Sequence, residues 1–445
     1  MTTSRESGWV RLAIACGGLM VLLLGAAHAA DPTTVHWWHA MGGALGERVG
    51  AIAKGFNDTQ SQCQVTPTYK GNYTENMTAG IAAFRARKQP HILQVFEVGT
   101  ATMMAAKGAI MPVYEVMETG GVQFDANAYL PTVTGYYTSP DGKVLSMPFN
   151  SSTPVLYYNK DAFKKAGLDP DKPPATWPEV AEVAKKTIAA GYPCGLTTAW
   201  QSWVHLENFS AWHNIATGTK ANGFEGLDTE LTFNAPAQVK HIQQLADWQK
   251  DGTFKYGGRR GDAQALFTEG KCVMYTQSSA GYAGIKKTAE FDFGIGMLPY
   301  WPDIAAKPQN SIIGGATLWT FAGHSKEDYQ CVAQFFSYLS SSEVQAEWHQ
   351  GTGYLPITFA AYELTKTQGF YDKNPGTETA LKQMTLNAPT ANSRGLRFGN
   401  FVQIRDIINE ELEHIWGGGK TAQQGLDDAV KRGNALLRKF EKTVN

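Results

Sequence analysis

Apolar and polar positions predict a succession of strands and helices from residue 33 onward. Residues 33–38 (TTVHWW) are β-branched and aromatic and read as a first strand. Within residues 42–56, Leu45, Val49, Ile52 and Phe56 recur at helical spacing. Residues 64–69 read as a second strand, 73–87 as a second helix, and 91–96 as a third strand closed by Glu97 and Gly99. Strand, helix, strand, helix, strand is the pattern of a mainly parallel sheet wrapped by helices. Ligands of such sheets sit beyond the carboxyl ends of the strands. Tyr73 and Glu97 each fall just after a predicted strand.

The middle of the chain repeats this style with longer helical sections. Thr176 caps a helix whose first turn carries Pro178. Residues 231–233 read as a short strand, Asn234 as a cap, and 235–251 as a long helix. Residues 270–275 form a further strand that ends at 276–279, and 291–299 another that crosses between lobes. Two helices, 403–415 and 421–442, flank Gly417-Gly418-Gly419 at the end. That glycine run lacks the preceding strand and the earlier glycine of a phosphate-binding loop, so it reads as a helix terminus followed by a Thr421 cap.

Residues 149–163 (FNSSTPVLYYNKDAF) break the pattern. Asn150, Ser151, Ser152 and Thr153 stand directly before the apolar, β-prone run 155–158. Polar groups against a buried strand are costly without partners, so they bond either to local backbone or to a polar ligand.

The amino terminus sets the compartment. Arg5 and Arg11 flank an apolar stretch, 12–27, and Ala27-His28-Ala29 supplies a small-residue cleavage pattern. This is a cleavable secretory signal peptide over residues 1–29, and the mature chain is expected in the periplasm. The mature chain is long enough for two domains with sizeable cores. The 39 basic and 40 acidic residues nearly cancel, leaving no electrostatic case for nucleic acid. Cys63, Cys194, Cys272 and Cys331 are too widely spaced for a zinc site. Export permits a disulfide, but four free thiols are the expectation and one bridge the alternative.

No catalytic constellation stands out. His36 and His39 would not share a face on a strand, so no metal is expected there. Glu97 and Glu207 could pair as glycosidase carboxylates, but such separations occur in any chain this long. No Gly-x-Ser-x-Gly elbow is present. Trp200 and Trp203, three residues apart, can share one helical face as a stacking wall. Gly314-Gly315 allows close backbone approach. Arg405, amid apolar residues, either pairs with a carboxylate or offers its fork to an anion.

Several of these segments, read in order, resemble one family. They are residues 70–73 (KGNY), 94–100 (QVFEVGT), 149–163, 206–212 (LENFSAW), 312–316 (IIGGA) and 353–358 (GYLPIT). From about residue 33 to the last helix the chain resembles the periplasmic glycerol-3-phosphate-binding proteins of ABC importers, within extracellular solute-binding protein family 1.

The resemblance implies an α/β, two-lobed (type II) periplasmic-binding-protein fold closing by hinge motion. Its first lobe would comprise 30–147 and 304–353, its second 148–303 and 354–445. Each lobe would be a mainly parallel sheet flanked by helices. The implied ligand-binding residues are Tyr73, Glu97, Ser152, Trp200, Trp203, Ser278, Gly315, Tyr354 and Arg405, with no metal, cofactor or catalytic residue. In this reading Arg405, Ser152, Tyr354 and the Gly315 N–H hold a phosphate, and Glu97 takes glycerol hydroxyls at the far end. Trp200 covers the carbon face, while Ser151 and Thr153 satisfy local backbone. The implied function is delivery of sn-glycerol 3-phosphate, and of glycerophosphodiesters such as glycerophosphocholine, to an inner-membrane permease by a monomer. A sugar or oligosaccharide receptor is the alternative.

Overall fold

The computed structural model describes residues 1–6, 8 and 31–444. The apolar core and cleavage pattern of the signal peptide, 12–29, lie outside the described residues. Among the described residues no helix is long and apolar enough to cross a membrane.

Among the described residues, ten strands form two sheets. They are β1 (Thr33–His39), β2 (Cys63–Tyr69), β3 (Ile92–Phe96), β4 (Ile110–Met111), β5 (Met147–Ser152), β6 (Pro154–Asn159), β7 (Cys194–Thr198), β8 (Cys272–Ser278), β9 (Phe293–Gly296) and β10 (Gly314–Phe321). The first sheet runs β2-β1-β3-β10-β4, with β5 also paired to β10, and the second runs β7-β8-β6-β9. β1 pairs in parallel with β2 and β3, and β7 in parallel with β8. β10 runs antiparallel to β3, β4 and β5, and β6 antiparallel to β8 and β9. Both sheets are therefore mixed rather than mainly parallel. The strands next to the crossings, β6 and β10, enter their sheets from the opposite end.

The first three strands and two helices form where the periodicity places them. On β1, Val35 and Trp37 are buried while His36 is exposed. Helix Gly43–Thr59 turns Val49, Ala53 and Phe56 inward. Helix Tyr73–Arg85 starts on an Asn72/Glu75 capping box, which satisfies orphan N–H groups at its first turn. Thr176 and Glu179 do the same for helix Trp177–Ala189.

Five expectations shift. The polar run 149–152 is itself part of a strand, β5, buried along its whole length. The chain leaves the first sheet at Thr153, so the expected boundary at 147/148 falls inside β5. The strand expected at 291–299 is shorter, β9, and stays in the second sheet; the return crossing is 297–313. Residues 231–233 contribute only an isolated bridge, Leu231 to Gly218. Asn234 does not cap, because its amide donates to Asp427 at 2.7 Å and Ala235 takes the cap position.

The four cysteines form two disulfides, not free thiols. Cys63 on β2 joins Cys331 on helix Lys326–Leu339 with Cα atoms 5.6 Å apart. Cys194 and Cys272 face each other in the β7/β8 register, 4.6 Å apart. Both pairings are created by tertiary contact, which residue spacing does not encode.

Candidate functional site

A cavity of about 220 Å³ lies between the two sheets, and all nine residues singled out in the sequence line it. Its first wall is built from the carboxyl end of β3 and the start of helix Tyr73–Arg85, as expected for an α/β sheet. Gln94, fully buried on β3, accepts from the Ala40 N–H at 2.8 Å and donates to Asn150 at 2.8 Å. Asn150 in turn donates to the Tyr73 hydroxyl oxygen at 2.9 Å. That oxygen is thereby engaged as an acceptor, and the Tyr73 hydroxyl lies beside that of Tyr354, which also lines the cavity. The ring is fixed by stacking on Phe96, with centroids 5.2 Å apart.

Hydroxyls from both lobes meet along the next wall. Ser152 ends β5 and lines the cavity. Ser278 ends β8, and its Oγ accepts the Ala280 N–H at 3.1 Å, leaving its proton free for another acceptor. Tyr354 follows Gly353, stacks on Trp348 at 5.6 Å, and its hydroxyl lies beside Tyr73 and Asn150 as well as 3.9 Å from Met41 Sδ. Thr153 satisfies neighbours as expected, donating to Ser311 and the Ile312 carbonyl. Ser151 does not: its Oγ is buried without a partner, while its backbone pairs with Gly315 in the β5/β10 ladder and its carbonyl accepts the Leu355 N–H. Gly315 has φ +94°, and a Cβ there would lie 2.0 Å from the Asn150 carbonyl oxygen. Only glycine fits.

The aromatic wall differs from a simple helical face. Trp200 stands before the helix in a left-handed conformation, φ +46°, uncommon for a bulky residue and found at strained functional positions. Trp203 opens a π-helical turn, Trp203–Asn208, every residue of which is buried. Its ring packs on Gly314, where a Cβ would come within 2.4 Å. Asn208 locks the turn by donating to the Trp203 carbonyl and accepting the Ile312 N–H.

Arg405, on helix Phe401–Trp416, is not an open fork. Its Nε donates to Glu207 Oε1 at 2.9 Å and its Nη2 to Glu207 Oε2 at 2.6 Å. The same Nη2 donates to Glu97 Oε1 at 2.6 Å. Glu97 therefore touches Arg405 instead of standing apart from it. Burial lifts the Glu97 carboxyl above its usual range against the pull of Arg405. Burial alone would lower the Arg405 pKa, but Glu207 and Glu97 together raise it. The two carboxylates set aside in the sequence as unrelated thus converge, on a cation and not on a scissile bond. Nothing in the sequence tied Glu207 to Arg405, because the two lie 198 residues apart. Phe96, Gln264 and Gln277 also line the cavity and were missed.

Outside the cavity, His36 and His39 point to opposite faces of β1. Among the described residues, only His91, His324 and Asp328 have metal-ligand spacing. His91 Nδ1 accepts the His36 N–H at 2.9 Å, so its proton sits on Nε2, facing Asp328 at 3.6 Å. That nitrogen lends a proton, not a lone pair. Lys420, after the glycine run, is held by Glu411 and Asp428, and Thr421 caps the final helix through the Gln424 N–H.

A cavity closed between two α/β lobes and lined by hydrogen-bonding groups from both defines a two-lobed solute-binding protein. The chain belongs to the bacterial extracellular solute-binding protein family, whose model matches residues 51–379. Members of this family bind solutes for import, so the chain is a binding protein and not an enzyme. It is 52% identical over 443 residues to the sn-glycerol-3-phosphate-binding periplasmic protein UgpB of Pectobacterium atrosepticum, covering 99% of each chain. It is 54% identical over 427 residues to the protein of that name from Escherichia coli, covering 96% of this chain and 97% of the other. Among solved structures, UgpB of Mycobacterium tuberculosis in complex with glycerophosphocholine superposes with a TM-score of 0.77 at 24% identity, covering 91% of this chain and 98% of that one. The acarbose-binding GacH receptor of Streptomyces glaucescens gives 0.76 at 18%, covering 92% and 99%. At these identities the two structures establish the shared fold.

Proposed function

We propose that the protein is the periplasmic binding component of an ABC importer for sn-glycerol 3-phosphate and glycerophosphodiesters such as glycerophosphocholine. It hands its ligand to an inner-membrane permease as a monomer and does not engage nucleic acid. Identity above 50% with relatives named for glycerol 3-phosphate supports this reading. The observation that carries it is that one small cavity joins two chemically distinct sets of groups. Tyr73, Ser152, Ser278, Tyr354 and Gly315 offer an uncharged lining suited to a phosphate. Glu97 and Arg405, in contact with each other, offer an acceptor beside a donor, the pattern that reads glycerol hydroxyls. Trp200 and Trp203 wall the carbon chain. This reverses the expected placement of phosphate on Arg405, whose fork Glu207 already fills.

A cavity of about 220 Å³ is below the roughly 300–1,000 Å³ usual for drug-sized ligands, which favours a compact glycerol ester over an oligosaccharide. The lobes divide at Thr153, within 297–313, and after Gly353, and these segments would bend on closure.

Isothermal titration of the mature protein tests the assignment. Heat of binding is expected with glycerol 3-phosphate and with glycerophosphocholine. Silence with both, together with tight binding of a neutral disaccharide, would overturn it.

A further inference from the structure

Glu207 lines no part of the cavity, yet it determines what Arg405 can present there. A guanidinium carries five N–H donors, and it grips phosphate bidentately through Nε with one Nη or through both Nη atoms. Glu207 takes the Nε proton and one Nη2 proton, and Glu97 takes the other Nη2 proton. Both bidentate edges are spent. Nη1 keeps two protons with no acceptor among the described residues, and Glu97 Oε2 has no side-chain partner there.

The two contacts differ in kind. Glu207 and Arg405 belong to the same half of the molecule, so their pair persists whether the cleft is open or shut. Glu97 follows β3 in the other sheet, so its contact with Arg405 spans the cleft. Glu207 itself is 1% exposed and sits in the π-helical turn, a geometry that recurs at functional sites. Trp203 of the same turn walls the cavity, so one local irregularity sets both the stacking surface and the Arg405 partner. A purely structural ion pair would need one carboxylate. Two around one buried guanidinium leave a net negative end, costly unless a ligand uses it.

We propose that Glu207 is a positioning residue that converts Arg405 from an anion clamp into a hydroxyl reader. Held by Glu207, Arg405 offers Nη1 as a donor beside the Glu97 acceptor. A hydroxyl both donates and accepts and fits that pair, whereas a bare phosphate oxygen accepts only and would face Glu97 unfavourably. The consequence is selection of glycerol esters over inorganic phosphate and over phosphate esters lacking hydroxyls. A site built to bond a substrate hydroxyl discriminates strongly against an analogue without it. The proposal rests on the glycerol-ester reading above.

The test compares glycerol 3-phosphate with methyl phosphate by titration calorimetry, with thermal melts of each variant. In the wild type glycerol 3-phosphate is expected to bind at least about 100-fold tighter. Glu207→Gln frees the guanidinium edge. It should lower glycerol 3-phosphate affinity about tenfold or more, leave methyl phosphate unchanged or tighter, and collapse the ratio. Glu207→Asp keeps the charge but cannot reach both Nε and Nη2, so its ratio should fall between. A wild-type ratio in either variant, or an equal loss for both ligands, overturns the role of Glu207. Failure of the wild type to bind any glycerol phosphate ester would instead overturn the ligand assignment.

Discussion

At the scale of single residues, the site is governed by pairing more than by charge count. Arg405 satisfies two buried carboxylates, Glu97 at 5% and Glu207 at 1% exposure. Removing one member of a buried ionic group leaves its partners uncompensated, which costs about 3–5 kcal/mol. Arg405→Ala should therefore lower the melting temperature as well as abolish glycerol 3-phosphate binding, read by calorimetry on both counts. Lost binding with an unchanged melting temperature would show that Arg405 contributes nothing to the fold. The nine candidate residues were legible because each sits in a recognisable short motif. Glu207 was not, since its role exists only through contact with Arg405. Ser151 and Ser152 were legible as a polar cluster, but which hydroxyl faces the cavity depends on the alternation of β5.

At the scale of elements, the strongest predictions came from periodicity and failed where elements are short or irregular. β1, β2, β3 and the two helices between them fall within a few residues of their expected bounds, because a long apolar stripe must be buried to form at all. β4 has two residues, too few for a periodic signal, and β7 (CGLTT) lacks the apolar run that marks β3. The turn at Trp203–Asn208 is wound as a π-helix, and Asn208 ties it to the Trp203 carbonyl and the Ile312 N–H, contacts that no local spacing encodes. The Cys194–Cys272 bridge staples β7 to β8, which carries Ser278 at its end. Replacing both cysteines by alanine should cost about 2–4 kcal/mol of unfolding free energy. Urea denaturation of the oxidised wild type and the variant measures it; coincident midpoints would contradict the expectation.

At the scale of the whole molecule, stability should depend on pH through histidines buried as neutral rings. Burial lowers His205 to about 3 and His213 and His349 to about 4. In the unfolded chain these groups titrate near the ordinary value of about 6.5. Between roughly pH 6.5 and 4 the unfolded state binds more protons, so stability rises with pH and falls on acidification. Each group contributes up to about 1.4 kcal/mol per pH unit in that window. Thermal melts from pH 7.5 to 4.5 should show a falling midpoint, and a flat profile would contradict it. The halves are also tied across the cleft. Arg397 donates to the carbonyls of Tyr136 and Thr138 at 2.9 Å.

By itself the sequence determined the α/β class, the two-lobed family and the cluster of residues that meets at the cleft. These come from local pattern: apolar period, turn chemistry and short motifs whose residues are neighbours in the chain. Only the tertiary structure decided the mixed strand directions, the crossing at Thr153, the two disulfides and the occupancy of the Arg405 fork. Each of those depends on groups tens to hundreds of residues apart being brought within bonding distance. Packing of the whole chain specifies such proximity, and no window of sequence does.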